Sequence, residues 1–390
     1  MSYKPIALNN ISCSLLYHYD DKDDVYSIGN IEKDKYIEVK ESNKDVILYV
    51  ISQLNGKNTI DEVEQLVREK LNCKINVQEL VTILEKAALL EGVDETRVEK
   101  GEFDILSFKL VKCELLKYES IFRELQVLVN PVKVMVIVLT VVALLYGNIL
   151  SHIKNLNIFE FSNNYIFIFV STFIIMGISM FIHEISHGVV AYKYGLIPKQ
   201  LVVSLYLYIS PIVYLKIPGI YTVNPKTRVK IWSAGIVSNL FLASLSIIIY
   251  NIMGQLGASE IISKLFLLSF YVNFVLIISN LFPLLPLDGY FIMSTLMKMP
   301  NLRKQSFVDF KNMILGKKVK FKAIYFIYFF LSAGIMTYII GTQVFNAYNI
   351  FTTNLKTSNS FMQSLWAIKF YIIIILLFVV SKIKRFISIG

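Results

Sequence analysis

Two of the four histidines in this chain stand four positions apart, with an acid beside the first: His183-Glu184-Ile185-Ser186-His187. On a helix such positions share a face. Both imidazoles can then donate nitrogen to one Zn2+, with Glu184 set beside them to act on a water molecule. A pattern this short recurs by chance in soluble helices, so its setting matters. Here it lies in an apolar run, residues 165–190, where an ionisable group is costly and is read first as functional. Zinc also asks for a third protein ligand. His18 belongs to a polar N-terminal region and His152 to a loop on the far side of the membrane, so neither suits. Beyond residue 131 the chain has five acids; Glu160, Glu260 and Asp309 fall in loops, which leaves Glu184 and Asp288 within or beside apolar runs. Asp288 is the candidate third ligand.

The residues before Asp288 are unusual for a membrane span. Asn280-Leu281-Phe282-Pro283-Leu284-Leu285-Pro286-Leu287-Asp288-Gly289 places two prolines three residues apart just ahead of the acid. Proline opens the hydrogen-bond ladder of a helix, and irregular backbone at membrane depth is tolerated where it lines a cavity enclosed by protein. Gly289 permits a close backbone approach, and Asn280 offers an amide to hold an extended substrate strand or a neighbouring turn.

Elements able to hold such a site follow from the composition. The chain has 390 residues, 55% of them hydrophobic and only 17% charged, against about 25% charged in an ordinary soluble domain. The net charge of +10 hides a split. Residues 1–131 carry 24 acids and 17 bases, whereas residues 132–390 carry 5 acids and 22 bases. That distribution excludes an evenly composed soluble enzyme, and the basic excess beside long apolar runs argues against a nucleic-acid partner. Runs long enough to cross a bilayer occur at about 132–150, 165–190, 231–251, 262–287, 323–342 and 366–381, so about six transmembrane helices are expected. Residues 201–218 are rich in Tyr, Val and Ile but interrupted by Pro211, Lys216 and Pro218, which suits a strand pair or re-entrant element at the membrane edge. Lysines and arginines crowd residues 191–230, the segment 298–322 and the tail from Lys382, while the opposite loops hold almost none. By the positive-inside rule both termini are then cytoplasmic, with the site near the cytoplasmic side of the cell membrane.

Residues 1–105 read as a small cytoplasmic α/β domain of winged-helix-like character. Short strands are expected around 14–18, 25–29 and 36–40, then helices at 45–54, after Thr59, and at 76–90. Thr59 with Glu62 three residues later has the form of a capping box. Residues 106–131 are a connector, expected to turn helical as it nears the membrane, and 132–390 form the membrane domain. Cys13, Cys73 and Cys113 are too few and too widely spaced for a disulfide framework. The first 20 residues lack the apolar stretch of a signal peptide, so the N-terminus is expected to stay on the side where it is made.

The pairing of FIHEISHG, residues 181–188, with NLFPLLPLDG, residues 280–289, resembles the site-2 protease family of intramembrane zinc metalloproteases over roughly residues 165–300. The resemblance implies His183, His187 and Asp288 as zinc ligands and Glu184 as general base. Ala234-Gly235-Ile236-Val237-Ser238-Asn239 looks like the family's alanine-glycine-proline stretch with its later asparagine, which gives Asn239, like Asn280, a substrate-positioning part. Ile236 stands where proline is usual, and Tyr290 follows the LDG where a second small residue is common. Residues 25–92 resemble the PqqD-like domains, which bind the leader segment of ribosomally made, modified peptides by adding it as a strand at a sheet edge.

Together these readings imply a polytopic zinc endopeptidase that binds a precursor peptide through its front domain and a membrane-edge strand around 201–218. Cleavage would serve bacteriocin-like peptide maturation or export, with neighbouring peptide-export or modification proteins as further partners. One alternative is a site-2 protease acting on a membrane-bound regulatory protein. Another is a non-proteolytic subunit for peptide transport or producer immunity, though a structural metal site has no need of Glu184.

Overall fold

A computed structural model describes residues 3–19, 22–93, 107–154, 165–206, 210–257, 259–299, 301–317, 322–358, 360–369 and 371–372. The front of the chain forms three strands, β1 (Ile11–Tyr17), β2 (Val25–Asn30) and β3 (Lys35–Lys40), in an antiparallel sheet of order β1-β2-β3. Ile28 of β2 stands opposite Cys13 and Ile37, so the strands' alternation puts Ile28, Ile37 and Val39 on one face. That face packs on α1 (Glu41–Gln53), α2 (Ile60–Leu71) and α3 (Val77–Lys86) through Val50, Leu54, Val63, Val67, Leu80 and Leu84. The capping box is present: Glu62 N–H donates to Thr59 Oγ1 at 3.3 Å and Thr59 N–H to Glu62 Oε2 at 2.7 Å. The third helix stops at Lys86 rather than at 90. Ala88 takes a left-handed conformation, φ 54°, and Leu89 and Leu90 turn back to pair with Leu8 and Ala7.

The connector is helical from Leu116 on, as expected near the membrane, but it opens on a strand. Residues Ser107–Glu114 are a strand, β4, in a second sheet of order β4-β5-β6 with β5 (Gln200–Tyr206) and β6 (Ser210–Lys216). Phe108 and Leu110 alternate with Ser107 and Lys109 before Val111 breaks the pattern, so the period-2 signal of this outer strand is short. The segment 201–218 is accordingly a strand pair, as its β-branched and aromatic content suggests. Only after β4 does helix begin, in α4 (Glu119–Leu125) and α5 (Val129–Tyr146), followed by the short α6 (Ile149–Lys154).

Five helical segments among the described residues are long and apolar enough to cross a membrane: Leu116–Tyr146, Ile166–Lys193, Pro225–Gln255, Glu260–Leu281 and Ala323–Thr357. The last four fall in α7 (Tyr165–Lys193), α8 (Pro225–Gln255), α9 (Glu260–Leu281) and, after α10 (Asp288–Leu296) and α11 (Leu302–Ile314), in α12 (Ala323–Ser358). The chain is a polytopic membrane protein with a small N-terminal β-sheet domain. The sixth expected span, 366–381, lies largely outside the described residues; α13 (Phe361–Ala367) precedes it. The third span starts six residues early because Asn224 caps it, Oδ1 accepting from Thr227 N–H at 2.9 Å, with Pro225 in the first turn. The fourth ends at Leu281, before Pro283, so Asp288 is not on that span but opens the separate α10.

These helices invert the pattern of a soluble bundle. Ile166, Phe169, Phe173 and Ile178 of α7 face outward, while Ser179, Asn239 and Asn273 are buried. In water that would be a large apolar liability; in hydrocarbon it is the expected solvated surface. Inside, Asn273 Nδ2 donates to Ser179 Oγ at 3.1 Å and to the Ser269 carbonyl at 2.9 Å, a polar tie between α7 and α9.

By the closeness of its parts the chain forms two compact units. One comprises residues 1–100, 113–201 and 215–278, the other 101–112, 202–214 and 279–390.

Candidate metal centre

The helix α7 carries both histidines on one face, one turn apart. Their rings meet edge to face with centroids 4.8 Å apart, and both are buried. Asp288, the first residue of α10, is buried as well. Ligand atoms of His183, His187 and Asp288 all lie within 4.8 Å of one another. It is the sole group of three or more such side chains found among the described residues.

The outer support of the histidines comes from α8. Ile231, Gly235 and Asn239 are spaced by four and share a face. The Ile231 carbonyl accepts from His187 Nδ1 at 2.7 Å. That bond places the proton on Nδ1 and leaves the Nε2 lone pair for a metal. The Asn239 amide lies 3.0 Å from His183 Nδ1, with the asparagine wholly buried. With nitrogen facing the ring, Asn239 Oδ1 is buried without a hydrogen bond. A half-turn of the amide, which changes nothing else in its shape, lets the oxygen accept from Nδ1–H and selects the tautomer in which Nε2 of His183 can ligate. Between them, Gly235 has no side chain because His183 occupies the space: a Cβ there would stand 2.5 Å from Cε1 and 2.6 Å from Cδ2 of the imidazole.

On the other side of α7, Glu184 is half-buried, and its Oε2 accepts from Leu215 N–H of β6 at 2.8 Å. The hairpin of β5 and β6 is closed by Lys199 N–H on the Lys216 carbonyl at 2.9 Å. Residues alternate along a strand, so Leu215 turns its N–H away from β5, toward the open side of β6.

Asp288 is brought in by close packing of backbone. A Cβ on Gly289 would lie 2.5 Å from the Leu281 carbonyl oxygen and 2.8 Å from that of Asn280. Only glycine lets the start of α10 fold back on the end of α9. Asn280 is half-buried in the last turn of α9. The remaining histidines stand elsewhere: His18 Nδ1 lies 2.9 Å from both carboxylate oxygens of Asp24, and His152 packs on the Tyr250 ring.

Sequence reasoning singled out His183, Glu184, His187 and Asp288 but missed Ile231 and Leu215. Both act through backbone atoms, which no side-chain pattern reveals. Gly235 was visible only as part of a motif, and its spacing of four from Asn239 was the available signal.

Two imidazoles with their outer nitrogens engaged and one carboxylate form a donor set suited to Zn2+ that leaves a coordination position for chemistry. The cluster is a zinc-binding site. With both histidines buried in a membrane-spanning helix and Asp288 buried at the start of the short α10, it matches the active-site geometry of a zinc metalloendopeptidase. No family profile matches the chain, and no curated protein or solved structure matches it.

Proposed function

We propose that the protein is an intramembrane zinc endopeptidase of the site-2 protease kind, with His183, His187 and Asp288 as ligands and Glu184 as general base. The observation that carries this reading is the buried His-His-Asp cluster within 4.8 Å, with a glutamate next to its first ligand in an apolar helix. A zinc ion bound there supplies a Lewis acid that polarises the scissile carbonyl and makes water a nucleophile near neutral pH. The Glu184 carboxylate takes the proton from the attacking water and returns it to the leaving amine. Leu215 N–H holds one carboxylate oxygen and so orients the carboxylate for this transfer. Ile231 and Asn239 keep both imidazoles in the tautomer that ligates, so Asn239 acts on His183 rather than on substrate. Asn280, at the mouth of the turn before Asp288, is the residue left to hold substrate.

Cleavage needs an extended peptide, because a helix keeps its carbonyls bonded and shielded. An added strand along the open side of β6 would pass the Glu184 carboxylate, since Leu215 N–H on that side already reaches it. In the front domain β3 is the outer strand suited to a peptide, because Leu16 of β1, at the other edge, gives its carbonyl to the buried Arg228. A PqqD-like front domain, residues 1–105, and a membrane protease body, 132–390, then act in series on a ribosomally made precursor. The charge asymmetry puts both termini and the site on the cytoplasmic side.

The test incubates the purified protein with candidate leader-bearing precursor peptides, with and without chelator. Cleavage that stops on chelation and returns with Zn2+ is expected. Glu184→Gln should abolish cleavage while keeping stoichiometric zinc, and full activity in that variant would sink the assignment.

A further inference from the structure

The turn between α9 and Asp288 poses a problem that only later helices solve. Carbonyls outside a helix at membrane depth meet no water and need partners within the protein. Tyr328 of α12 donates its hydroxyl to the Pro283 carbonyl at 3.2 Å. The Leu284 carbonyl receives two donors, Arg303 Nη1 of α11 and Ser332 Oγ of α12, each at 3.1 Å. Arg303 Nη1 also lies 3.2 Å from Ser332 Oγ. The backbone N–H of Arg303 in turn donates to the Tyr290 hydroxyl at 3.2 Å. One residue therefore grips the chain four positions before Asp288 and two positions after it.

The grip is buried. Arg303 is 5% exposed, Ser332 is wholly buried, and Tyr290 and Tyr328 pack with Leu302 in one apolar cluster. By sequence Arg303 counts among the basic residues of a cytoplasmic loop; in the structure it faces inward. A guanidinium is costly to bury, and its hydrogen bond to a carbonyl is stronger than a neutral donor's. A loop anchor for lipid headgroups would have remained exposed.

Resting on the zinc reading above, we propose that Arg303 is a positioning residue for the ligand Asp288. With Tyr290, Tyr328 and Ser332 it fixes the proline turn from which the carboxylate is presented. This accounts for Tyr290, where a second small residue is usual after the LDG, because its hydroxyl holds α11 against the start of α10. It also assigns α11 and α12, which lie beyond residue 300, a part in the metal site.

The experiment uses the full-length protein in lipid nanodiscs, loaded with Zn2+ for chelator competition and with Co2+ for its visible absorption spectrum. Arg303→Met and Tyr290→Phe are expected to release Zn2+ at about 10- to 100-fold lower chelator concentration than the parent protein. Both should also shift the Co2+ bands, which report ligand geometry directly. Arg303→Lys keeps a cationic donor without the planar fork and should recover part of the loss. Leu302→Ala, a cavity in the same cluster, should lower the thermal midpoint while leaving zinc affinity and Co2+ spectrum unchanged. Tyr290→Phe removes a single oxygen, so it keeps the test open if Arg303→Met does not fold. Parental affinity and spectrum in Tyr290→Phe and in every folded Arg303 variant would overturn the proposal, as would equal loosening in Leu302→Ala. A parent protein that binds no Zn2+, and is unaffected by His183→Ala, would instead overturn the zinc reading and this inference with it.

Discussion

Gly235→Ala tests whether α8 seats the first histidine. The added methyl would lie 2.5 Å from Cε1 and 2.6 Å from Cδ2 of His183. Carbon atoms rest comfortably at about 3.5–4.0 Å, so the ring must retreat by roughly 1 Å or α8 must withdraw by as much. Metal sites tolerate deviations of about 0.2 Å in ligand distance, so a shift of that size uncouples His183 from the site. The expected consequences are a loss of about 10- to 100-fold in zinc affinity and of about 100-fold in cleavage. Backbone energetics pull the other way, because alanine is better than glycine inside a helix by about 1 kcal/mol. The signature is a protein that folds no less stably without metal but holds zinc poorly. Chelator competition, peptide cleavage and thermal unfolding of the metal-free protein read the three quantities. Gly177→Ala in α7 and Gly254→Ala in α8 serve as controls, since a Cβ at either position meets nothing within 4 Å. Zinc affinity and cleavage at parental levels in Gly235→Ala would refute the placement of His183 against α8.

Other expectations are open to direct measurement. Gly289→Ala drives a methyl into the backbone of Leu281 and Asn280, which cannot yield as a side chain does, so zinc binding and cleavage should both fall below detection. Thr59→Ala removes the capping box of α2 and should lower the stability of the front domain by about 1 kcal/mol, read by hydrogen exchange of that helix in the intact protein. Burial raises the Asp34 carboxyl above its usual range, only partly offset by Gly219 N–H, which Asp34 Oδ1 accepts at 3.2 Å, and by Lys35, Lys199 and Lys216. A folded-state pKa above the unfolded one gives a contribution present at low pH and lost as pH rises through the folded value. Asp34→Asn keeps the acceptor and the left-handed turn, φ 52°, while removing the charge. It should raise the thermal midpoint at neutral pH and flatten the decline between the unfolded pKa of 3.8 and the raised value; a midpoint that falls at pH 7 would contradict this.

Much of the front domain was legible because its signals are local. Strand alternation and the Thr59–Glu62 spacing each act within a few residues, and β1 to β3 and α1 to α3 form close to where they were expected. The strand β4 was not foreseen within the connector because its pairing partner, β5, lies some ninety residues on, and an outer strand carries little signal without its neighbour. The end of α9 was placed too late because hydropathy runs unbroken to Leu287, whereas Pro283 removes the N–H that would have continued the helix.

The site divides along the same line. By residue type and scarcity alone, the sequence determined which side chains could do chemistry: of the five acids beyond residue 131, Glu184 and Asp288 are the two within or beside apolar runs, and two of the four histidines flank Glu184. Tertiary structure alone decided how they are held. The Ile231 carbonyl on His187, Leu215 N–H on Glu184 and the Arg303 clasp around Asp288 involve backbone atoms or distant residues, and their meeting depends on packing that no local pattern encodes. Arg303 shows the difference most sharply. In the sequence it is one more positive charge near a membrane, and in the fold it is a buried donor, because carbonyls left without helical partners beyond the end of α9 must find one and α11 brings it.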